Sequence, residues 1–223
     1  MRELHLAPRA GTGLQILCLG AHADDIEIGC GGLILDTLAN VSTVDVHWVV
    51  FSADATRERE ARRSARSFLR QARRRTVVVH HFRDGFFPYQ GKAIKTTFET
   101  LKRTVPSPDL VVTHFRDDRH QDHRLISDLT WNTFRDHVVL EYEVPKYDGD
   151  LVTPNCYAPL DRSTCARKVE YLGTAFASQR DKPWFSAETF LGLMRIRGVE
   201  CRAPGGYAEG FHARKVVLKV GRG

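Results

Sequence analysis

Short apolar runs alternate along the chain with longer stretches in which apolar residues recur at helical spacing. The apolar runs predict strands at 15–20, 44–51, 76–82, 109–114 and 138–143. The periodic stretches predict helices at about 30–39, 56–74, 92–103 and 122–136. Apolar strands that alternate with helices are typical of a parallel sheet covered on both faces. The pattern therefore predicts an α/β fold of three layers with a mostly parallel sheet.

The last third of the chain is less regular. Its pattern predicts helices at 163–178 and 187–196 and a final strand at 214–220. No internal repeat, low-complexity linker or shift in composition marks a boundary along the sequence. We therefore expect residues 1–223 to form a single domain, which suits a chain of this length.

The composition is that of an ordinary globular protein. Of the 223 residues, 42% are hydrophobic and 27% are charged, which argues against disorder. No apolar run approaches the roughly 20 residues that a transmembrane helix needs. The five cysteines are odd in number and lack C-x-x-C spacing, which fits neither a disulfide framework nor a thiolate zinc site. Since the N-terminal segment is also too polar for a signal peptide, we expect a protein of the reducing cytoplasm.

The net charge of +6 is concentrated in one segment. Nine arginines lie within Arg57–Arg75, interleaved with alanine, leucine and phenylalanine at spacings of three and four. This spacing predicts an amphipathic helix with a basic outer face. A nucleic-acid surface is one interpretation, but the segment lacks exposed aromatics for single strands and any groove-reading motif. A solvated helix face is the interpretation that we favour.

A first polar cluster, Gly20–Gly32, follows the first predicted strand. His22 and Asp25 supply an imidazole and a carboxylate close enough to bind one ion, and Asp24 adds a second carboxylate. Ligands of open parallel sheets bind beyond the carboxyl ends of the strands, which favours a metal site here. The acids could instead cap a helix. A dinucleotide-binding loop is disfavoured because the glycines lack G-x-G-x-x-G spacing and the acids would repel a pyrophosphate.

A second polar cluster, Thr113–His123, follows the fourth predicted strand. It holds three histidines and three aspartates, too many to be buried without partners, although a solvated loop is the alternative. Both clusters follow strands at the same edge of the sheet. His22, Asp25 and one of His120 or His123 would therefore supply two imidazoles and one carboxylate. Such a set suits a catalytic Zn²⁺ with one open position, and it also suits non-haem Fe²⁺.

Together the two clusters resemble the motifs of a known family. The sequence H-A-D-D-I-E-I-G-C-G-G at 22–32 and the sequence H-Q-D-H at 120–123 are similar to those of the PIG-L/LmbE family of zinc-dependent N-acetyl-sugar deacetylases. Segments 141–150 and 206–211 are also typical of the bacterial members, so the resemblance covers about 16–211. It implies a single-domain, Rossmann-like fold of the LmbE type.

The resemblance also implies a metal site. His22, Asp25 and His123 correspond to the metal ligands of the family. The ion is expected to be Zn²⁺, with Fe²⁺ as the alternative. Asp24 corresponds to the general base.

Further roles are implied for residues around the ion. His120 corresponds to a histidine that assists catalysis, with Asp122 placed to orient it. Arg57 and Asp84 match positions that contact sugar hydroxyls in relatives. The sequence departs from the family pattern at Ala23, where proline is usual. Because proline donates no ligand, we expect the site to survive this difference.

The implied activity is removal of the N-acetyl group from an N-acetylglucosamine-type sugar or glycoconjugate, with zinc-activated water as the nucleophile. One alternative is an amidase acting on a sugar-linked thiol conjugate, which would use the same metal site. Another is a non-catalytic protein that binds an anion or a nucleic acid through the segment Arg57–Arg75. We expect a small-molecule partner and no membrane span, regard nucleic acid as the less favoured partner, and leave oligomerisation open.

Overall fold

Seven strands form the central sheet of the structure, a computed structural model that describes residues 2–7, 13–105 and 107–217. Within these residues the strand order is β3-β2-β1-β4-β5-β7-β6. The strands are β1 (Leu14–Gly20), β2 (Val44–Val50), β3 (Arg74–Val79), β4 (Leu110–His114), β5 (Val138–Tyr142), β6 (Cys156–Leu160) and β7 (Tyr207–Ala213). Strands β1 to β5 are parallel, and β7 is antiparallel to both β5 and β6. The prediction of a mostly parallel sheet is confirmed.

Six α-helices pack on the sheet in the described part of the chain. They are α1 (Asp25–Asn40), α2 (Ala55–Phe68), α3 (Gly91–Thr104), α4 (Gln121–Thr133), α5 (Arg162–Ala175) and α6 (Ala187–Cys201). The predicted helix 56–74 is too long, because α2 ends at Phe68. Arg74 and Arg75 instead belong to edge strand β3, where they pair with β2. These two arginines therefore do not belong to a helix face.

The two strands at the carboxyl-terminal end of the sheet differ from the sequence prediction. Strand β7 lies at Tyr207–Ala213, so the predicted strand at 214–220 is wrong for residues 214–217, and 218–220 lie outside the described residues. Strand β6 was not predicted, and it contains Pro159. Proline is tolerated there because β6 is at the edge of the sheet, where not every backbone amide needs a partner.

The core has two halves, one on each face of the sheet. Alternate residues of β1 point to opposite faces, with Ile16 and Cys18 in one half and Leu17 and Leu19 in the other. Helices α1, α2, α5 and α6 contribute apolar side chains to the first half. Helices α3 and α4 contribute to the second. This arrangement confirms the predicted three-layer α/β architecture.

The strand order creates a crevice between β1 and β4. From β1 the chain builds outward to β2 and β3, and it then returns to place β4 and β5 on the other side of β1. The loops that follow β1 and β4 therefore diverge at the carboxyl edge of the sheet. In open α/β sheets this reversal is where ligands bind. Both polar clusters of the sequence lie at this point.

Close packing fixes the start of α1 against the sheet. A Cβ atom added at Gly29 would lie 2.0 Å from Cδ2 of Tyr142, which is fully buried. The Tyr142 hydroxyl donates a hydrogen bond to the carbonyl of Leu19 at 2.7 Å, so the ring has little freedom to move away. Glycine at position 29 is therefore required for the first turn of α1 to reach the sheet.

We expect Gly29→Ala to destabilise the protein by about 1–3 kcal/mol, the usual cost of overpacking a core. The matched control is Gly173→Ala in α5, where an added Cβ meets no atom within 4 Å. Because alanine is the better helix former, the control should be neutral or up to about 1 kcal/mol more stable. Denaturant unfolding measures both. Equal stability of the two variants would contradict the packing argument.

Candidate active site

Three donor atoms meet in the crevice between β1 and β4. His22 Nδ1 lies 3.2 Å from His123 Nε2 and 3.4 Å from Asp25 Oδ2, and the last two atoms are 3.6 Å apart. A tetrahedral zinc ion with bonds of about 2.0–2.1 Å would separate neighbouring donors by about 3.3–3.4 Å. The three atoms therefore stand at the spacing of one face of a tetrahedron, and a fourth position is left for water or substrate. The residues present fit the implied ion.

The second nitrogen of each imidazole is bound to a carboxylate. His22 Nε2 lies 3.0 Å from Asp84 Oδ1 and 3.2 Å from Asp122 Oδ2. His123 Nδ1 lies 2.9 Å from Asp118 Oδ2. Metal-binding histidines commonly donate their remaining N–H to such a carboxylate, which sets the tautomer and the ring orientation. This arrangement leaves Nδ1 of His22 and Nε2 of His123 free to bind an ion.

The electrostatics of the site favour a bound cation. Burial alone would lower the pKa of His22, but the carboxylates of Asp122, Asp25 and Asp84 raise it well above its ordinary value. The acids around this imidazole thus attract positive charge strongly enough to hold a proton on a buried ring. A divalent cation bound to Nδ1 would supply that positive charge instead.

Asp118 is a site residue that the sequence analysis missed. Its Oδ2 accepts from His123 and also from the Lys146 ammonium at 2.9 Å, and its Oδ1 accepts from the backbone amide of His120 at 2.7 Å. Burial would raise the pKa of Asp118, but His123 and Lys146 hold it well below its usual range. The adjacent Asp117 is exposed. Nothing in the sequence distinguishes the two acids.

The Asp122 carboxylate has hydrogen-bond partners other than the predicted His120. It accepts hydrogen bonds from the backbone amides of Gly85 at 2.7 Å and Phe87 at 3.1 Å, and it contacts His22 rather than His120. The reason is the start of α4 after His120. At this N-cap the His120 ring folds back and accepts from the Asp122 backbone amide, while the Asp122 side chain points to the loop after β3. Asp122 therefore orients a metal-ligand candidate.

His114 lies next to the donor atoms of Asp25 and His123, and the sequence analysis assigned it no role. Its Nε2 accepts from the backbone amide of Ala21 at 2.9 Å and lies 3.3 Å from Asp25 Oδ2. Its ring stacks on that of His123, with the centroids 3.9 Å apart. Because His114 ends β4 and Ala21 follows β1, this contact joins the two loops of the crevice.

The two carboxylate oxygens of Asp24 differ in their partners. Its Oδ1 lies 2.7 Å from the Arg57 guanidinium, while its Oδ2 is buried and has no hydrogen-bond partner among the described residues. Burial raises the pKa of Asp24, and the nearby Arg57 opposes this rise only in part. A buried, unsatisfied carboxylate oxygen with a raised pKa is suited to accept a proton.

The remaining predicted residues lie around the donor atoms. The ring centroid of His120 is 4.9 Å from that of His22 and 4.6 Å from that of His123, and burial lowers the pKa of His120. The Asp84 side chain is largely exposed at the rim. Arg57 contacts Asp24 and also Glu60, at 2.9 Å, so the structure shows it as a partner of the acids. Of the other arginines of α2, Arg59, Arg63 and Arg66 are exposed and Arg62 is half-buried.

Sequence comparison decides the family. Residues 17–134 match the model of the PIG-L family, described as GlcNAc-PI de-N-acetylase, and this match spans more than half of the chain. The protein belongs to the PIG-L family. The resemblance of its two motifs to PIG-L/LmbE deacetylases is confirmed. No curated protein matches the chain.

Solved structures share the fold of this PIG-L protein. A conserved protein from Thermus thermophilus has a TM-score of 0.72 at 21% identity, covering 93% of this chain and 97% of its own. The N,N'-diacetylchitobiose deacetylase from Pyrococcus horikoshii has a TM-score of 0.68 at 20% identity, covering 90% and 83%. The 4-carboxy-2-hydroxymuconate hydratase from Pseudomonas putida has a TM-score of 0.70 at 17% identity, covering 94% and 100%. Since these neighbours include a deacetylase and a hydratase, the fold alone does not identify the reaction.

In the ranges that the structure describes, no helix of the PIG-L protein is both long and apolar enough to cross a bilayer.

We expect the purified PIG-L protein to hold about one divalent ion per chain, because three donors stand at ligand spacing. The variants His22→Ala and Asp25→Ala should lose this ion, and His5→Ala, whose imidazole is exposed near the N-terminus, should keep it. Elemental analysis of protein prepared without chelator measures the content. Absence of metal in the unmodified protein, with no uptake of added Zn²⁺, would contradict the site.

We expect Asp118→Asn to weaken metal binding by about 10–100-fold, as is typical for an outer partner of a metal ligand. The asparagine keeps the shape of the side chain but removes the charge that orients His123. The matched control is Asp117→Asn, since Asp117 is exposed and faces Arg214. Competition with a chromophoric chelator gives the two affinities. The role of Asp118 is refuted when both variants bind the ion as tightly as the unmodified protein.

Proposed function

We propose that the protein is a metal-dependent hydrolase that removes the N-acetyl group from an N-acetylglucosamine-type sugar or glycoconjugate. The observation that carries this proposal is the spacing of His22 Nδ1, Asp25 Oδ2 and His123 Nε2, beside an unpartnered oxygen of Asp24. Membership of a family described as a de-N-acetylase supports it. The ion would be held by His22, Asp25 and His123, and we propose Zn²⁺, with Fe²⁺ as the alternative.

The reaction joins a poor electrophile, an acetamide, to a poor nucleophile, neutral water. A bound zinc ion polarises a carbonyl and lowers the pKa of water from 15.7 to about 7. The protein must then supply a base for the proton of the attacking water, a donor for the developing oxyanion and an acid for the leaving amine.

Asp24 serves as the base. The Arg57 guanidinium holds Oδ1 at 2.7 Å and so fixes the orientation of the carboxylate, and Oδ2 remains available to take the proton. The first oxygen is occupied by an ion pair, so only the second can act on water. Arg57 is thus proposed to position the base, in addition to any contact with a sugar hydroxyl that the family resemblance implies.

His120 serves as the second proton-transfer group. Its ring lies beside those of His22 and His123, and it is only partly buried, so it can face a substrate. Once protonated, it would donate a hydrogen bond to the oxyanion of the tetrahedral intermediate. Either His120 or the protonated Asp24 would then give a proton to the departing amine.

The substrate would enter past the loop after β3. Asp84 at the rim is proposed to contact sugar hydroxyls, as the resemblance implies. Phe86 and Tyr89 of the same loop are exposed, with their ring centroids 6.0 Å apart. Aromatic faces of this kind are suited to contact the apolar side of a sugar ring.

The alternatives make different predictions. An amidase acting on a sugar-linked thiol conjugate would use the same donor atoms, so acetate release must be compared with thiol-conjugate cleavage directly. A non-catalytic anion-binding protein is disfavoured, since anion binding does not require three donor atoms at the spacing of metal ligands.

The five cysteines are free in the structure, which supports the proposal of a reducing compartment, the cytoplasm.

We expect Asp24→Asn to reduce kcat for acetate release from N-acetylated sugars by about 10²–10⁴-fold, the usual contribution of a general base. The variant should still bind the ion, because Asp24 is not one of the three donors. Asp128→Asn in α4, which alters an exposed carboxylate that faces Arg116, is the control. Turnover of Asp24→Asn near the rate of the unmodified enzyme would show that another group is the base.

A further inference from the structure

Helix α1 is interrupted close to its start. Cys30 has φ −142° and ψ 15°, which is not helical, while the residues on both sides continue the helix. In a regular α-helix, the amide of residue 32 would donate to the carbonyl of residue 28. The interruption separates a short first segment, Asp25–Gly29, from the longer part of α1. This first segment begins with a proposed metal ligand.

An ion pair from elsewhere in the chain occupies the gap. The Gly32 amide donates to Glu209 Oε1 at 2.7 Å, and the Lys168 ammonium donates to the same oxygen and to the carbonyl of Ile28, each at 2.6 Å. The pair therefore binds both the donor and the acceptor that a regular helical hydrogen bond would join. Glu209 Oε2 also accepts from the Leu33 amide at 2.7 Å.

The fit around this ion pair is close. Lys168 is 2% exposed and Glu209 is 4% exposed. Two charges buried this deeply are favourable only with good geometry and further hydrogen bonds, and the backbone of α1 supplies those bonds. A Cβ atom added at Gly32 would lie 2.8 Å from Glu209 Oε1, so glycine lets the carboxylate approach the helix. The break in α1 and the pair that fills it belong together.

We propose that Lys168 and Glu209 are positioning residues of the metal site. They act through the segment Asp25–Gly29, whose Gly29 end they hold in place. The ion would be bound at the other end, by Asp25 and the preceding His22. The inference rests on the proposed function only in taking Asp25 as a metal ligand. Lys168 lies in α5 and Glu209 in β7, outside the part of the chain that matches the family model.

A second buried ion pair offers a matched control. Arg197 and Glu143 are 6% exposed each, and the Arg197 guanidinium donates to Glu143 and to the carbonyl of Val152. Within the described residues, neither side chain of this pair forms a hydrogen bond with α1. Its removal should cost stability like that of the first pair, but it should leave the position of Asp25 unchanged.

The test compares two double variants, Lys168→Met/Glu209→Gln and Glu143→Gln/Arg197→Met. Each removes one buried ion pair, and the second also releases Glu200, a partly exposed carboxylate that pairs with Arg197. The first readout is the affinity of the folded protein for Zn²⁺, by competition with a chelator. The second is hydrogen exchange of the amides of residues 25–33 in metal-free protein. If Lys168→Met/Glu209→Gln does not fold, Glu209→Asp takes its place, since the shorter side chain withdraws its oxygens from Gly32 and Leu33.

We expect the change at Lys168 and Glu209 to weaken Zn²⁺ binding by about tenfold or more and to accelerate exchange at Gly32 and Leu33 by a similar factor. The control pair should change neither quantity by more than about twofold. Equal effects of the two changes on Zn²⁺ affinity, or unchanged exchange at Gly32 and Leu33, would overturn the inference.

The two proposals fail separately. If the unmodified protein binds no Zn²⁺, the proposed function fails, and exchange at Gly32 and Leu33 in metal-free protein still decides whether the ion pair holds α1 at its interruption. Faster exchange there in the Lys168 and Glu209 variant alone sustains the positioning role. Unchanged exchange in a protein that does bind Zn²⁺ removes the positioning role and leaves the proposed function intact.

Discussion

The buried carboxylate of Asp25 is the interaction around which the site is organised. It accepts the His22 backbone amide at 2.6 Å, and it has three imidazoles near it, those of His22, His114 and His123. Burial alone would raise its pKa, but His123 and His114 hold the pKa well below its ordinary value, so the group stays ionised. A carboxylate kept charged in the interior requires polar or charged partners on several sides. These partners come together where β1 and β4 lie side by side.

The strand order therefore determines more than the shape of the sheet. With β4 placed against β1, the two loops of the crevice come into contact through His114 and Ala21. Asp118 and Asp122 then orient one imidazole each, and Lys146 links Asp118 to Asp150 in the loop after β5. His22 also contacts Asp84, and both Asp118 and Asp122 accept hydrogen bonds from backbone amides. This is how outer contacts give a small donor set a defined geometry.

The sequence was informative where the site is local and uninformative where it is not. His22 and Asp25 lie just after β1, and the second cluster follows β4, so strand prediction and spacing placed the two clusters together and left His120 and His123 as alternatives. The family resemblance then favoured His123. Asp118 was missed because Asp117 beside it has the same side chain, and only the fold decides which is buried.

Lys168 and Glu209 were missed for a different reason. Their significance depends on an interruption at Cys30 that no local pattern announces. Strand β7 was misplaced for a related reason, since a buried glutamate hides its apolar alternation. Edge strand β6 was obscured by Pro159. Residues that act across the fold carry little signal in the neighbouring sequence.

The loop after β3 has a consequence for how such proteins diverge. It contributes Asp84, Phe86 and Tyr89 to the rim, whereas the donor atoms come from the loop after β1 and from the first turns of α1 and α4. Exposed rim residues such as Tyr89 can be exchanged during evolution more freely than Asp84, because Asp84 also contacts a metal-ligand candidate, His22. The same sheet can thus present a different rim to a ligand through changes in its outer loops, while the crevice between β1 and β4 keeps its arrangement.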